Sequence, residues 1–284
     1  MKSENIPSII QAEALANLHQ TQKITIAEAG NGAVARQDYD HLHLQNALYF
    51  DLDSQLAEVP ENAANGGRHP LPEIEKFAQI LAAARISKDD HIVIYDRKNG
   101  ANAAARFWWM LRSAGFEKVQ VLNGGFQAAQ KANFPMDDHP VVLKKVNPYP
   151  LDSWKLPTVG ISEIETLASN PNAVVIDVRE QIRYDGKTEP IDLVAGHIPG
   201  AVNIPFAENL NDKGEFLSPE LLRFKYEKAL NGIDPENVAV HCGSGVTACH
   251  TLLAMDYAGL KIPNLYVGSW SEWSRNEKPI ATNP

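Results

Sequence analysis

A long internal repeat runs through this chain. Ile92-Val-Ile-Tyr-Asp96 matches Val238-Ala-Val-His-Cys242 at an offset of 146 residues. Ala114-Gly115 matches Ala258-Gly259, and Gly124-Gly-Phe126 matches Gly268-Ser-Trp270, both at an offset of 144. The slip falls in the loop and helix start between them, where insertions are tolerated. Upstream, His43-Leu-Gln-Asn-Ala47 parallels His197-Ile-Pro-Gly-Ala201. Solenoid units repeat at about 20–50 residues, so a period this long is a duplicated domain. A length of 284 residues leaves room for two domains of ordinary size. The expected division is a domain at 1–136, a linker at 137–158 and a second domain at 159–284. Five prolines between Pro135 and Pro157, with no amphipathic pattern, mark the linker.

Within each repeat, helical patterns alternate with short apolar runs: Ile92–Tyr95, Val119–Leu122, Val174–Ile176, Val238–Val240 and Leu265–Val267. Runs that short, apolar on both faces and separated by helices, read as buried parallel strands. The fold class is therefore α/β, each domain a mainly parallel sheet flanked by helices. Ser8-Ile-Ile-Gln11 and Ser162-Glu-Ile-Glu165 have the spacing of capping boxes that open helices. Pro72–Ala84 places Ile74, Phe77, Ile80 and Leu81 on one stripe, and Ser218-Pro219-Glu220 opens a helix carrying Leu221, Leu222, Tyr226 and Leu230.

Composition narrows the function classes. The net charge of −9 comes without any Lys/Arg block, which argues against nucleic acid as a partner. No apolar run approaches the roughly 18 residues of a membrane span. The N-terminal stretch lacks the apolar core of a signal peptide. Two cysteines, Cys242 and Cys249, cannot build a disulfide scaffold, and a cytoplasmic, reducing setting is expected.

The chemistry concentrates in His241-Cys242-Gly-Ser-Gly-Val-Thr247-Ala-Cys-His250, a strand end, a glycine-containing loop and then a helix. Such a loop aims backbone N–H groups inward and adds the positive end of a helix dipole, so a thiolate at Cys242 is favoured. Cys249, inside the helix beside Leu252 and Leu253, fits a buried core position. Three rival chemistries fit poorly. Zinc would need paired ligands, and the adjacent Cys249 and His250 diverge on a helix. A cysteine phosphatase needs an arginine in the loop, where Gly243–Leu253 has no Arg or Lys. A serine hydrolase on Ser244 would need a glycine where Cys242 stands.

Cys242-Gly-Ser-Gly-Val-Thr247, with Gly196-His-Ile-Pro-Gly-Ala201, Ile176-Asp-Val-Arg179 and Asn123-Gly-Gly-Phe126, resembles the tandem rhodanese-domain sulfurtransferases of the 3-mercaptopyruvate type. The resemblance covers nearly the whole chain. It implies two rhodanese-like domains, the first catalytically silent because Asp96 replaces the cysteine. It implies sulfur transfer from 3-mercaptopyruvate through a Cys242 persulfide to a thiol acceptor, such as thioredoxin or a small thiol, with no cofactor and no metal. Catalytic residues carried over are Cys242, Ser244, Asp53 and His69. Substrate-binding residues are Arg183 and the loop positions Gly243, Gly245, Val246 and Thr247.

A neutral loop suits a keto acid whose charge lies far from the sulfur, whereas thiosulfate favours cations in the loop itself. Thiosulfate:cyanide transfer, or a non-catalytic carrier or redox-sensing module, are the alternatives. Many members of the family carry a second arginine after Thr-Glu-Pro, but Ile191-Asp192-Leu193 stands here, so the expectation is either weaker affinity for the keto acid or Lys187 as a less directional substitute. Arg183 otherwise reads as a solvated partner of Asp185 or Glu180. Trp270 and Trp273 either wall the pocket or pack on the core, and His197 reads as structural.

Overall fold

The structure is a computed structural model that describes residues 6–101, 103–139, 141 and 150–284. Residues 140 and 142–149 of the expected linker lie outside the described residues. Two compact units emerge. The first comprises Met1–Ala57, Pro72–Lys155 and Lys213–Glu215; the second comprises Glu58–Leu71, Leu156–Asp212 and Phe216–Pro284. The segment Glu58–Leu71 thus lies in sequence between elements of the first unit and packs as part of the second.

The first unit contains β1 (Ile9–Ile10), β2 (Thr25–Gly30), β3 (His43–Leu44), β4 (Leu48–Asp51), β5 (Ile92–Tyr95), β6 (Val119–Leu122) and β7 (Met136–Asp137). The second contains β8 (Thr158–Val159), β9 (Val174–Asp177), β10 (Val202–Asn203), β11 (Val238–His241) and β12 (Asn264–Tyr266). Both main sheets are parallel, ordered β4-β2-β5-β6-β1 and β10-β9-β11-β12-β8. The duplication read from the sequence is therefore a duplication of topology. β3 and β7 form a separate antiparallel pair. In each sheet the strand carrying the repeat motif, β5 or β11, is central, and a loop leads from it into a buried helix, Ala103–Ser113 or Ala248–Tyr257. The carboxyl end of a central parallel strand is where open α/β sheets place ligands.

The paired histidines of the repeat are structural clasps. His197 stacks on Tyr184 at 3.7 Å and its Nδ1 lies 2.7 Å from the Tyr184 carbonyl. The Tyr184 hydroxyl donates to the Ala201 carbonyl at 2.5 Å. In the first unit His43 stacks on Tyr39 at 4.1 Å, and the Tyr39 hydroxyl donates to the Ala47 carbonyl. A stacked ring pair and two buried hydrogen bonds thus fix the same turn twice.

Several local expectations are corrected. Ser8-Ile-Ile-Gln11 does not open a helix. Ile9 and Ile10 pair with Val121 and Leu122 as a strand, and the helix begins at Ala12. The Ser8 and Ile10 carbonyls accept from Val121 and Asn123 N–H, so sheet bonding outcompetes the local box. The second box is shifted: the helix is Ile161–Ser169, and the Glu163 carboxylate accepts from Gly160 N–H at 2.8 Å. Leu221 is exposed, off the buried Leu222–Tyr226 face. The strands β2 and β4 escaped the pattern reading because Ala, Gly and a buried Glu28 break the apolar run in β2 and β4 is only half-buried.

Tyr184→Phe deletes one buried hydrogen bond and leaves the Ala201 carbonyl short of a donor. The expected loss is about 1–2 kcal/mol of stability in urea unfolding, with no change in fold by circular dichroism.

Candidate active site

The loop Cys242–Thr247 is clamped by its own backbone. The Cys242 carbonyl accepts from Trp270 N–H at 3.0 Å and the Gly243 carbonyl from Ser271 N–H at 2.9 Å. Cys242 N–H donates to Ser269 Oγ at 3.2 Å, and that hydroxyl donates to the Tyr266 carbonyl. Gly245 has φ +73°, and a Cβ there would strike the Val267 carbonyl, so this turn needs glycine for conformation and for space. The Cys249 thiol donates to the Gly245 carbonyl at 3.3 Å, a structural use of the second cysteine. Cys242 itself is 3% exposed at the head of the loop.

The first unit repeats the clamp and shows what the loop holds. Phe126 N–H donates to the Asp96 carbonyl at 3.0 Å, the counterpart of the Trp270 bond. There the Asp96 carboxylate accepts from the N–H groups of Lys98 and Gly100, each at 2.8 Å, and of Ala104 at 3.3 Å. The loop is a nest of donors around the tip of that side chain, and in the first unit it is filled by a carboxylate. Carboxylate oxygen carries no transferable sulfur. Cys242 occupies the corresponding position in the second unit.

The strap Glu58–Leu71 adds side chains to this loop. It is pinned by Gly66 N–H to Glu272 Oε1 and Arg68 N–H to Ser271 Oγ, each 3.0 Å. Gly67, at φ +84°, lies directly on Gly268, where no Cβ would fit. The strap brings His69 Nδ1 to 2.8 Å from Ser244 Oγ, the tautomer setting which of them donates. Ser244 is 7% exposed and His69 half-buried. Asp53, the third member of the group carried over by resemblance, is exposed on the helix Leu52–Gln55 of the first unit.

Arginines surround the loop rather than occupy it. Arg183 is no solvated surface group: its side chain is 12% exposed and meets Glu189 Oε1 at 2.7 Å, with Glu180 3.7 Å away. Glu189 also accepts from Arg179 and from the N–H groups of Ile191 and Asp192. Burial pushes the Glu189 carboxyl up, but the Arg183 hydrogen bonds and those backbone donors outweigh it and hold it below the ordinary range. Arg179 is buried, bonded to Asp177 and the Gly196 carbonyl, and stacked over Trp270 at 4.7 Å. Burial lowers the pKa of His241, whose Nδ1 lies 3.1 Å from the Cys242 carbonyl.

Sequence reasoning named Arg183 but missed Arg68 and the role of Asp192 beside Gly243. A Cβ on Gly243 would lie 3.1 Å from Arg68 Nη2, 3.5 Å from Arg183 Nη2 and 3.7 Å from Asp192 Oδ2. Asp192, with no side-chain exposure, bonds Arg68 Nε at 3.1 Å and Arg275 Nη1 at 2.9 Å, with Arg183 Nη2 at 3.8 Å. Lys187, the expected substitute cation, is exposed, and Gly243 has arginines beside it instead. The usable signal was the adjacency of Arg68 to His69. Trp270 and Trp273 pack in the core of the unit, their indole N–H groups bonded to the Val194 and Pro279 carbonyls.

Because the folded Glu189 carboxyl is depressed, its contribution is present above its ordinary value of 4.5 and lost as pH falls through the lower folded value. Glu189→Gln should therefore cost about 1–3 kcal/mol at neutral pH, and the gap from wild type should shrink below pH 4.5 in thermal melts at stepped pH. Gly245→Ala should disrupt the loop and lower turnover at least about tenfold, read as a loss of activity larger than the loss of melting temperature.

Comparisons with known proteins agree with this architecture. A family model described as Rhodanese-like domain matches residues 11–132 and again 161–276. A probable 3-mercaptopyruvate sulfurtransferase of Pseudomonas aeruginosa is 37% identical over 250 residues, covering 86% of each chain. A thiosulfate sulfurtransferase of Cricetulus griseus is 36% identical over 256 residues, covering 86% of this chain and 82% of its own. Among solved structures, the 3-mercaptopyruvate sulfurtransferase from Leishmania major superposes with a TM-score of 0.80 at 29% identity, over 96% of this chain and 76% of its own.

Proposed function

This chain belongs to the rhodanese-domain family, as a tandem sulfurtransferase, and on that premise we propose that it moves sulfur from 3-mercaptopyruvate to a thiol through a persulfide on Cys242. The Cys242 thiolate attacks the substrate sulfur. A sulfur–sulfur bond forms, the carbon–sulfur bond breaks, and its electron pair leaves on carbon as the enolate of pyruvate. The enolate takes up one proton and departs as pyruvate. An acceptor thiolate then attacks the outer sulfur and restores the Cys242 thiolate. A second thiol can release that sulfur as sulfide while a disulfide forms. No external oxidant is required.

The observation that carries this reading is the 2.8 Å contact between His69 and Ser244, two residues after the nucleophile. Through that hydroxyl a proton can be delivered to the leaving enolate. The backbone of Gly243, Gly245, Val246 and Thr247 cradles the persulfide, as the first unit's loop cradles the Asp96 carboxylate. Arg183 meets the substrate carboxylate. The absence of Arg and Lys from Gly243–Thr247 favours the keto acid over thiosulfate as donor. The acceptor is a thioredoxin-like protein or a small thiol, and the setting a reducing cytoplasm. Both cysteines are without a disulfide, and none of the described helices is long and apolar enough to cross a membrane.

The test is steady-state release of pyruvate and sulfide from 3-mercaptopyruvate with a dithiol acceptor, with thiosulfate and cyanide run in parallel. Turnover of the keto acid at least about tenfold above thiosulfate, abolished in Cys242→Ser, is the expected result. His69→Gln should lower kcat by about 100-fold with a smaller effect on KM. A preference for thiosulfate would reassign the donor. No turnover of either donor would overturn the enzymatic reading in favour of a sulfur carrier.

A further inference from the structure

We infer that Arg68 is a specificity-determining residue that shares the substrate carboxylate with Arg183. This assignment rests on the proposed keto-acid donor and deepens it. Resembling sequences carry a second arginine after Thr-Glu-Pro, but here that stretch offers an exposed Ile191 and a buried Asp192. The missing guanidinium is supplied from the strap. Arg68 Nη2 lies 3.1 Å, and Arg183 Nη2 3.5 Å, from the point where a Gly243 Cβ would stand. Two guanidiniums converge on the backbone of the residue after the nucleophile, close enough together for the two oxygens of one small carboxylate.

Hydrogen bonding favours an anionic visitor. Arg68, Arg179, Arg183 and Arg275 are held by the buried carboxylates Asp177, Glu189 and Asp192, with the exposed Glu180 3.7 Å from Arg183. Arg68 spends Nε and Nη2 on Asp192, leaving Nη1 uncommitted among the described residues. Its side chain is 26% exposed, so solutes reach it. Asp192 acts as a positioning residue. Its bidentate contact sets the plane of the Arg68 fork, and Arg275 shares its charge so that the fork is not fully neutralised. Gly243 has no positive φ that demands glycine, and a Cβ there would crowd Arg68, so its smallness makes room for the guanidiniums. One strap therefore delivers both a cation for the carboxylate and the histidine bonded to Ser244.

The test pairs Arg68→Gln and Arg68→Lys with two donors, 3-mercaptopyruvate and its methyl ester, in which the carboxylate charge is absent. Calorimetric binding of pyruvate provides a readout that needs no turnover. Arg68→Gln should raise KM for the acid about 10- to 100-fold and weaken pyruvate binding by a similar factor. The ester should lose far less. Arg68→Lys should recover part of the affinity, since it keeps the charge and loses the fork. Equal losses for acid and ester would mean that Arg68 only pins the strap, and would overturn the assignment. So would unchanged pyruvate binding in Arg68→Gln. If wild type releases no pyruvate from the acid but binds pyruvate through Arg68, the donor reading fails and the carboxylate site stands.

Discussion

Two main-chain hydrogen bonds, from Trp270 N–H to the Cys242 carbonyl and from Ser271 N–H to the Gly243 carbonyl, hold the loop that the chemistry depends on. They fix a strand end against the first turn of the helix Ser269–Trp273, and the left-handed Gly245 lets the chain curve back beneath it. The Ser269 hydroxyl, which accepts from Cys242 N–H, and the Cys249 thiol, which donates to the Gly245 carbonyl, complete the clamp from outside positions 242–247. The loop's own side chains are therefore open to chemistry, and a main-chain bond of the same kind, from Phe126 N–H, holds Asp96 in the first unit. In the first unit three N–H donors converge on the anionic side chain of Asp96, so that loop is an anion cradle.

Around the cradle, charge is organised in tiers. Asp177 and Arg179 are wholly buried and brace the turn at Gly196, while Arg179 lies over the Trp270 ring. Glu189 ties Arg179 to Arg183 and also caps the turn that follows it. Asp192 gathers Arg68 and Arg275. Removing one carboxylate from such a network leaves its cations buried and unpaired, which costs more than the bond itself. Cations beside Gly243, with none in the loop itself, suit a donor whose charge sits several bonds from the atom transferred.

The sequence made the duplication, the α/β class and the nucleophile loop readable, because each rests on local signals: a repeated apolar strand, the glycines after it and the Gly-Gly-Phe/Gly-Ser-Trp match. What it hid was everything fixed by sheet pairing or by long-range return of the chain. Ile9–Ile10 looked like the inside of a capping box and proved a strand, because its partner β6 lies over a hundred residues away. β2 escaped because Glu28, buried and bonded to Tyr95 and Arg97, interrupts its apolar pattern. Arg68 was marked only by its place beside His69. Nothing local to Arg68-His69 says that the strap packs on Gly268 and Ser271, some two hundred residues later. The loss of an arginine after Thr-Glu-Pro was legible; its replacement from the strap required the structure.

Confinement of the sulfur chemistry to the loop headed by Cys242 can be read directly. Fragment mass spectrometry on protein treated with 3-mercaptopyruvate in the absence of acceptor tests it most directly. One added sulfur atom on Cys242, none on Cys249, and its removal by a small thiol are the predicted result. Sulfur found on Cys249, or pyruvate released with no sulfur gained by Cys242, would contradict the account.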